Sequence, residues 1–432
     1  MPQQSSSPAG ETGGGPAAGS TGGAVRTGGT IAVAIVGMNV ATYGFTILAA
    51  RLLGPSQYGA FAAVMNLLMV VSVAQLALQA TAARRVSSTP GDVTVIEERV
   101  RSMTRRLAVG LGLVLLVLSP VVNAVLRLDS LVTAALVAAT AVPLTVMGGQ
   151  AGVLQGERRW RPLALLYLAA GVPRLLLGGA LLVWRPEEGV ATLGVLIGAL
   201  FPVAVGAWAL RRPRTHATDA TGTDHGVRSL LRESFRNSHA LLAFFAVTNV
   251  DIIVARGVLD DHDSGLYAGG LILTKAMLFL PQFVVVLAFP DMADARERRR
   301  ALRLSLGAVA GLGAVGVLAA WVLSPVAMVF VGGPDYAEIE GRLWVFAVLG
   351  TALSMIQLLV YGLLAQEGRR RATVLLWAAL AVIALGGQAT DSVTGLLTLV
   401  TATDVVLFLA LLVPVVLAAP EPAPSPEPTD AD

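Results

Sequence analysis

Uncharged apolar windows of about twenty residues recur along the whole chain, and they limit its fold more than any other feature. A helix rises about 1.5 Å per residue, so such a window spans the ~30 Å hydrocarbon core of a bilayer. Backbone groups in lipid must bond to one another, so each window is predicted to be helical. Only 14% of the residues are charged, whereas a soluble domain carries about 25%. The sequence therefore predicts an all-α polytopic membrane protein.

Twelve transmembrane helices are predicted from these windows. Their approximate limits are 28–50, 58–80, 106–126, 131–154, 162–184, 189–210, 237–257, 265–289, 304–330, 343–365, 372–388 and 392–418. The segments at the two ends of the chain, 1–27 and 419–432, are Gly/Ser/Pro-rich and acidic Pro-rich respectively. Neither can bury a core, so both are predicted to be disordered tails.

Positive charges predict the orientation. With the N-terminus inside, 24 of the 31 Lys and Arg residues fall in predicted cytoplasmic segments. Five fall on the opposite side: Arg51, Arg127, Arg185, Arg256 and Arg342. Cytoplasmic loops carry such an excess, so both tails are predicted to be cytoplasmic. We interpret the arginine clusters as topology signals that contact anionic membrane lipids, not nucleic acid, because no aromatic residues are interleaved with them.

An internal repeat divides the chain into two halves. Arg51 and Arg256 are 205 residues apart, and the string VLSPV recurs at the same offset, at 117–121 and 322–326. Gln155 and Gln366 each precede an arginine run. We therefore predict two parallel six-helix lobes around a central cavity, 28–210 and 237–418, joined by a cytoplasmic linker, 211–236. Parallel halves are typical of alternating-access transporters, although a duplicated bundle can also serve as a scaffold or an enzyme anchor.

Two stretches of the sequence carry a family resemblance. ARLLGPSQYGAFAAV at 50–64 resembles the opening signature of polysaccharide and oligosaccharide flippases of the multidrug/oligosaccharidyl-lipid/polysaccharide (MOP) exporter superfamily. A second match consists of Asp251, Gly265, Tyr267, Ala268 and Pro290. The resemblance implies a flippase for a polyprenyl-diphosphate-linked oligosaccharide or polysaccharide in the bacterial cytoplasmic membrane, used in envelope or capsule synthesis. It implies a lipid-linked glycan as substrate and glycosyltransferases or a polymerase as pathway partners. Many members have fourteen helices, whereas twelve are predicted here.

Other function classes fit the sequence less well. The loop between the second and third predicted helices lacks the Gly-x-x-x-Asp-Arg pattern of major facilitator transporters. A cation-coupled multidrug or small-solute antiporter of the same superfamily stays an alternative. The four histidines have no metal-binding spacing, cysteine is absent, and no Gly-Lys-Ser/Thr follows the Gly-rich N-terminus. We therefore expect no catalytic residue, cofactor or metal.

Charged residues inside predicted spans are the candidate site, because such residues usually face a wet cavity or a partner. Arg174 and Lys275, the only lysine, lie one in each half. They are predicted to bind the diphosphate. Alternatively, Arg174 bonds a carbonyl freed by Pro173, and Lys275 pairs with Asp251 or extends to the interface. Asp251 binds a coupling cation or anchors its helix. Asn39 and Gln79 are further candidates, although interhelical hydrogen bonds are the more common use of such residues. Asp404 has no predicted partner.

Overall fold

The computed structural model describes residues 20–88, 93–211, 227–278, 298–364 and 369–417. Within these ranges every regular element is helical. The first half contains α1 (Ser20–Ser88), α2 (Val93–Val117), α3 (Ser119–Leu126), α4 (Leu131–Gly156), α5 (Trp160–Pro173), a π-helical turn (Arg174–Gly178), α6 (Gly179–Trp184) and α7 (Glu188–Ala209).

The second half repeats this order. It contains α8 (Val227–Val258), α9 (Asp261–Leu278), α10 (Arg298–Val322), α11 (Ser324–Val331), a 3-10 helix (Pro334–Arg342), α12 (Leu343–Leu364), α13 (Arg369–Gly386), a 3-10 turn (Gly387–Ala389) and α14 (Val393–Leu417). Helix α8 begins inside the predicted linker 211–236, and α1 begins inside the predicted tail 1–27. The tail 419–432 and the linker residues 212–226 lie outside the described residues, and the domain limits stay predictions.

Breaks in the helices fall at Gly and Pro. Helix α1 breaks at Gly54, whose φ of 68° is left-handed, a conformation that glycine adopts without a steric cost. Pro55 then opens the second arm, because proline suits the first turn of a helix. The two arms, 20–53 and 55–88, contain the first two predicted spans. In the fifth span, Pro173 ends α5 and the π turn follows, since proline cannot donate the amide bond that continues an α-helix.

The repeated Ser-Pro pair marks a helix break in each half. Helices α2 and α3 meet at 58°, and α3 begins at Ser119 with Pro120 in its first turn. Helix α11 begins in the same way at Ser324 with Pro325. Each short helix therefore begins at a break after the span before it, and both end at the same end of the bundle.

Nine of the described helices are long and apolar enough to cross a membrane, or ten if α2 and α3 form one span. Helix α1 is one of the nine, although its apolar part, Gly29–Ser88, contains both arms. Helix α9 is described only to Leu278, so residues 279–289 of its predicted span, and Pro290, lie outside the described chain. The prediction of an all-α polytopic fold with about twelve spans in two lobes is confirmed.

Equivalent helices pack together in the two lobes. In the first lobe α4 packs against α1, α2 and α7, and α5 packs against α1 and α7. In the second lobe α12 packs against α9, α10 and α14, and α13 packs against α8 and α14. These are the same pairs shifted by six spans. The repeat seen in the sequence therefore corresponds to a repeated packing arrangement.

The seam between the lobes is formed mainly by α1 packed against α8 and α9. The Tyr43 hydroxyl donates a hydrogen bond across it to the Ile272 carbonyl, at 2.6 Å. One hydrophobic core runs through both lobes and includes Phe61 and Phe346. Residues 279–297 lie outside the described chain, and the cavity between the lobes stays a prediction.

Candidate functional site

The two lobes are bonded to each other where α1 breaks, α3 and α11 end, and α8 ends. We call this region the Gly54 end. Helices leave their last four carbonyl groups without a partner inside the helix, and a positive charge is favourable there. Three arginines of the Gly54 end use such carbonyls, and we call them the arginine clasp: Arg51, Arg127 and Arg256.

Arg256 on α8 binds the end of α3 in the other lobe. Its Nε donates to the Leu126 carbonyl at 2.9 Å, and its Nη2 donates to the Arg127 carbonyl at 2.6 Å. Its Nη1 is held within its own lobe by Asp261 Oδ1 at 2.9 Å and by Ser264 Oγ at 3.1 Å. The side chain is only 2% exposed. This buried arginine therefore joins the lobes with its hydrogen-bonding capacity almost fully used.

Arg127, in the first lobe, binds the second lobe in a similar way. Arg127 is the C-terminal cap of α3, and its backbone has a left-handed φ of 48°. Its guanidinium donates to the Leu259 carbonyl at 2.6 Å and to the Gly257 carbonyl at 2.8 Å, at the end of α8. Helices α3 and α8 therefore cap each other across the seam.

Arg51 makes the related contact on the other side of the seam. Its guanidinium donates to the Val329 carbonyl in the last turn of α11. The Tyr336 hydroxyl donates in the opposite direction, to the Ala50 carbonyl at 3.1 Å. Arg51 and Arg256 are the repeat-related pair, and α3 and α11 are related by the same offset of 205 residues. The same kind of contact is thus made twice: Arg51 of the first lobe binds α11, and Arg256 of the second lobe binds α3.

Two glycines allow the lobes to approach closely beside the clasp. A Cβ atom added to Gly59 would lie 2.9 Å from the Gly265 Cα, and one added to Gly265 would overlap the Pro55 carbonyl. These glycines are also repeat-related, at an offset of 206. Equivalent residues of two repeats can touch only near the axis that relates them. The pseudo-twofold axis therefore passes between Gly59 and Gly265.

The acidic turn at 260–263 supports the clasp. Asp261 pairs with Arg256, and Asp260 Oδ1 accepts from the Asp263 amide at 2.7 Å. Partial burial, followed by the neighbouring Asp260 carboxylate, raises the pKa of Asp263 above its ordinary value. Among the described residues, no group of three or more His, Asp or Glu side chains is placed to hold a metal ion. We therefore interpret the acidic turn as a support for Arg256, which makes the contact between the lobes.

A second polar arrangement lies inside the second lobe, and we call it the charged cluster: Asp251, Lys275 and Asp404. The Lys275 ammonium donates to the Thr248 carbonyl at 2.6 Å and to Asn249 Oδ1 at 2.9 Å. Both carboxyl groups act on it through space, without a direct ion pair. In this conformation Lys275 is therefore held by α8.

The two carboxyl groups of the charged cluster differ in their surroundings. Asp251 is 3% exposed, and its oxygens accept from the Ile252 amide at 2.9 Å and the Tyr267 hydroxyl at 3.3 Å. Asp404 is 1% exposed, and neither of its oxygens has a hydrogen-bond partner in the described chain. A buried polar atom without a partner is costly and usually has a functional reason. The cluster therefore contains one ammonium group and two carboxyl groups, one of which has no hydrogen-bond partner in the described chain.

The remaining predicted site residues lie in the first lobe. Arg174 is in the π turn, packed against Gly198 of α7, and its Nε is buried without a hydrogen-bond partner among the described residues. Gln79 donates to Gln155 at 3.0 Å and to the Tyr167 hydroxyl at 2.8 Å, which links α1 to α4 and α5. Asn39 is half-buried on the first arm of α1 and is engaged by a neighbour. The structure thus brings Lys275 and Asp251 together, whereas the contacts described for Arg174 and Gln79 are with other residues of the first lobe.

The arginine clasp and the position of Asp404 near Lys275 were not found from the sequence. Arg51, Arg127 and Arg256 were counted there only as the minority of charges on one side of the membrane. The offset that relates Arg51 to Arg256 was the one available signal. The main-chain carbonyls that they bind have no signature in a side-chain pattern.

Comparisons with known proteins agree with this architecture. Residues 24–296, more than half of the chain, match the family of polysaccharide biosynthesis proteins. An uncharacterized protein of Mycobacterium tuberculosis is 26% identical over 364 residues, which cover 79% of this chain and 80% of that protein.

Two solved structures share the fold. A multidrug resistance MATE family transporter of the MOP superfamily, in an inward-facing conformation, matches with a TM-score of 0.69 and 14% identity over 88% of this chain and 94% of that one. The lipid II flippase MurJ, in an inward closed conformation, matches with a TM-score of 0.67 and 12% identity over 90% of this chain and 87% of that one. At such identities the likeness establishes the fold alone.

Proposed function

Because this chain belongs to the polysaccharide biosynthesis protein family, a flippase family of the MOP superfamily, we propose that it flips a polyprenyl-diphosphate-linked oligosaccharide or polysaccharide across the bacterial cytoplasmic membrane. The movement is alternating access, in which the two lobes rock about the seam. Glycosyltransferases of the same pathway supply the lipid-linked glycan and a polymerase consumes it. The family is one of transporters, and we assign no catalytic residue.

The arginine clasp is the observation that supports this proposal most strongly. Its inter-lobe bonds run from guanidinium groups to main-chain carbonyls at helix ends. Both partners can return to water when the lobes part, because exposed helix ends and arginines are readily solvated. No helix has to unfold. A contact of this kind closes one end of a transport pathway and can reopen.

Arg174 and Lys275 are proposed to bind the substrate diphosphate at different stages. Arg174 has an unpartnered buried Nε among the described residues, so its guanidinium has capacity for a phosphate oxygen. Lys275 is held by Thr248 and Asn249 in this conformation. It reaches the diphosphate only after the packing of α9 on α8 changes. Asp251, Asn39 and Gln79 line the proposed route as polar, non-catalytic contacts.

Reconstituted vesicles test the proposal directly. The probe is a polyprenyl diphosphate that carries a fluorescent oligosaccharide, and a membrane-impermeant quencher reports which leaflet it occupies. Without the protein, the quencher should reach only the half of the fluorescent lipid that lies in the outer leaflet. With the protein present, we expect the quenched fraction to rise above one half within minutes. Arg174→Ala and Lys275→Ala should abolish flipping without loss of membrane insertion, whereas Arg106→Ala, an exposed arginine, should not. Normal flipping by both single variants would remove the proposed roles of these two cations.

The proposed orientation places both tails in the cytoplasm and the Gly54 end outside. The natural chain has no cysteine, so single cysteines can be labelled in intact cells without a background. Asp260→Cys should react with a membrane-impermeant maleimide from outside, and Arg370→Cys only after lysis. The reverse pattern would invert the proposed topology.

A cation-coupled multidrug or small-solute antiporter is the second candidate function. It is favoured by the charged cluster, where two carboxyl groups surround one ammonium. A proton or a monovalent cation would balance the charge. Efflux of cationic dyes from cells should then depend on an ion gradient and be lost in Asp251→Asn. Unchanged dye accumulation in that variant would contradict the antiporter.

A further inference from the structure

A cavity of about 860 Å³ lies inside the first lobe, among α2, α4 and α7. Its lining comes from the first turns of α2 and the last turns of α4 and α7, so it lies at the end of the bundle opposite the Gly54 end. It is formed by one lobe only and is separate from the seam. Pockets of this size accommodate ligands of several hundred daltons.

The rim of this cavity is positively charged. It carries Arg101, Arg105, Arg211 and one acid, Glu97. Glu97 Oε1 pairs with Arg101 at 2.8 Å, so these two charges compensate each other. Arg105 and Arg211 have no hydrogen bond or ion pair within the described part of the chain. Two guanidinium groups that have no partner in the described chain therefore face one opening.

The wall behind the rim is apolar, with a small polar floor. Val100, Val146 and Val153 form much of the wall. At the floor, Thr104 Oγ1 and Gln150 Oε1 are buried without a hydrogen-bond partner among the described residues. A ligand that fits must have a negatively charged group at one end and an apolar body.

A cavity of the second lobe differs in position and character: it is lined by the first half of α12, whereas the first-lobe cavity is lined by the last turns of α4. Helices α10, α12 and α14 correspond to α2, α4 and α7, and they enclose about 660 Å³. Its lining in the described chain is uncharged and includes Trp321, Trp344 and Phe408. A cavity between three packed helices of this chain therefore need not have a charged rim.

We propose that the first-lobe cavity binds an anionic glycerophospholipid of the membrane. The lipid phosphate lies between Arg105 and Arg211, and an acyl chain lies along the valine wall. Basic pockets between membrane helices on the cytoplasmic side bind anionic headgroups, and guanidinium groups bind phosphate oxygens with charge-assisted hydrogen bonds. The bound lipid ties α2 to α7 within one lobe. This site is independent of the transported substrate.

Native mass spectrometry of the detergent-purified full chain tests the site. The probes are phosphatidylglycerol and, as a neutral comparison, phosphatidylcholine. Wild-type protein should retain one phosphatidylglycerol preferentially. The double variant Arg105→Ala/Arg211→Ala should bind it at least tenfold more weakly, and Arg106→Ala, one residue along α2 but outside the lining, should match wild type. Equal losses in the double variant and in Arg106→Ala would overturn the proposal, because the retention would then be non-specific.

A second variant blocks the cavity and leaves its arginines intact. Ala207 is exposed and lines the cavity, whereas Ala204, also exposed on α7, does not. Ala207→Trp should lose phosphatidylglycerol and Ala204→Trp should retain it. Soluble glycerol phosphate should not displace the lipid at matched concentration. Displacement by glycerol phosphate would show a site for a soluble phosphate and would overturn the lipid assignment.

Discussion

Arg256 is costly to bury, and its partners explain why it is nevertheless tolerated. A buried charge is stable only when it is paired and hydrogen-bonded. The guanidinium has five donors, and four bonds engage it. Two of these cross to the other lobe. If the lobes part at the Gly54 end, Arg256 loses the inter-lobe half of its partners and gains water instead.

Replacing Arg256 should therefore favour the open Gly54 end. Two inter-lobe hydrogen bonds contribute ~1 kcal/mol each. Their loss should shift the equilibrium between the closed and the open Gly54 end toward the open form by roughly tenfold or more. The readout is the rate at which Ala62→Cys reacts with a membrane-impermeant maleimide. Ala62 is buried, 7% exposed, one helical turn from Gly59. We expect faster labelling in Arg256→Ala.

Arg185→Ala is the matched control for this experiment. Arg185 lies at the same end but pairs with Glu187 of its own lobe, at 2.6 Å. Its loss should leave the labelling rate unchanged, since surface ion pairs contribute little. Equal acceleration in both variants would show that the clasp has no special role.

The charged cluster makes a prediction about stability. Lys275→Met leaves two buried carboxyl groups without the nearby positive charge, so it should lower the free energy of unfolding by about 3 kcal/mol, because an uncompensated buried charge is costly. Asp404→Asn removes a carboxyl group that has no partner in the described chain, so it should be nearly neutral. The measurement is thermal unfolding in detergent.

The double variant Lys275→Met/Asp404→Asn completes the cycle. Residues that interact give non-additive changes. The double variant should therefore be more stable than Lys275→Met alone. Strict additivity would mean that Asp404 and Lys275 do not interact.

At the scale of the elements, the repeated Ser-Pro sequence produces two short helices, α3 and α11, whose ends make equivalent contacts with the other lobe. The Ser-Pro pair ends one helix and begins the next, because proline lacks the amide proton that would continue the first. The free carbonyls of each short helix then face the other lobe. Arg51 and Arg256 meet them from equivalent positions.

The contact between α1 and α9 is limited by glycine, and this gives a separate prediction. A Cβ on Gly265 would overlap the Pro55 carbonyl in the closed arrangement. Gly265 lies within a helix, so alanine itself suits the backbone and has the higher helix propensity, by about 1 kcal/mol. Gly265→Ala should thus destabilise only the closed Gly54 end and accelerate labelling of Ala62→Cys.

Gly257→Ala is the control for that substitution. Gly257 is also helical, at the same end, and nothing lies within 4 Å of its added Cβ. The labelling rate in this variant should equal that of the unsubstituted chain. If Gly265→Ala labelled no faster than Gly257→Ala, close packing of α1 on α9 would not limit the opening.

At the scale of the molecule, the lobes share a fold but not their charges. The position equivalent to Asp251 at the 205-residue offset is Thr46, and the position equivalent to Lys275 at the offset of 206 that relates Gly59 to Gly265 is Met69. The charged cluster of the second lobe is therefore not repeated in the first lobe.

Cross-linking the lobes tests alternating access as a whole. The Arg127 guanidinium reaches the Gly257 carbonyl at 2.8 Å, so the two backbones lie within the length of one arginine side chain. In Arg127→Cys/Gly257→Cys, a short bifunctional thiol reagent should stop flipping, and a cleavable linker should restore it on reduction. The flipping rate of the same double variant before cross-linking is the reference. Continued flipping by fully cross-linked protein would contradict rocking of the lobes.

Much of the fold could be predicted because its determinants are local. The apolar windows correspond to the spans, and Gly54 and the Ser-Pro pairs are visible as breaks. The repeat at 205 residues predicted lobes with equivalent packing. Of the candidate site, the neighbouring positions of Asp251 and Lys275 were foreseen, since adjacent helices of a hairpin carry them.

Contacts between distant helices were decided only in the tertiary structure. Arg127 and Gly257 are 130 residues apart, and nothing in their local sequence links them. Asp404 lies beside Lys275 only because α14 packs against α9. The sequence by itself determined where the chain crosses the membrane, because burial in lipid acts on each segment separately. Which charges meet depends on how twelve helices pack at once, and the carbonyls that bind the clasp belong to the backbone, which every sequence shares.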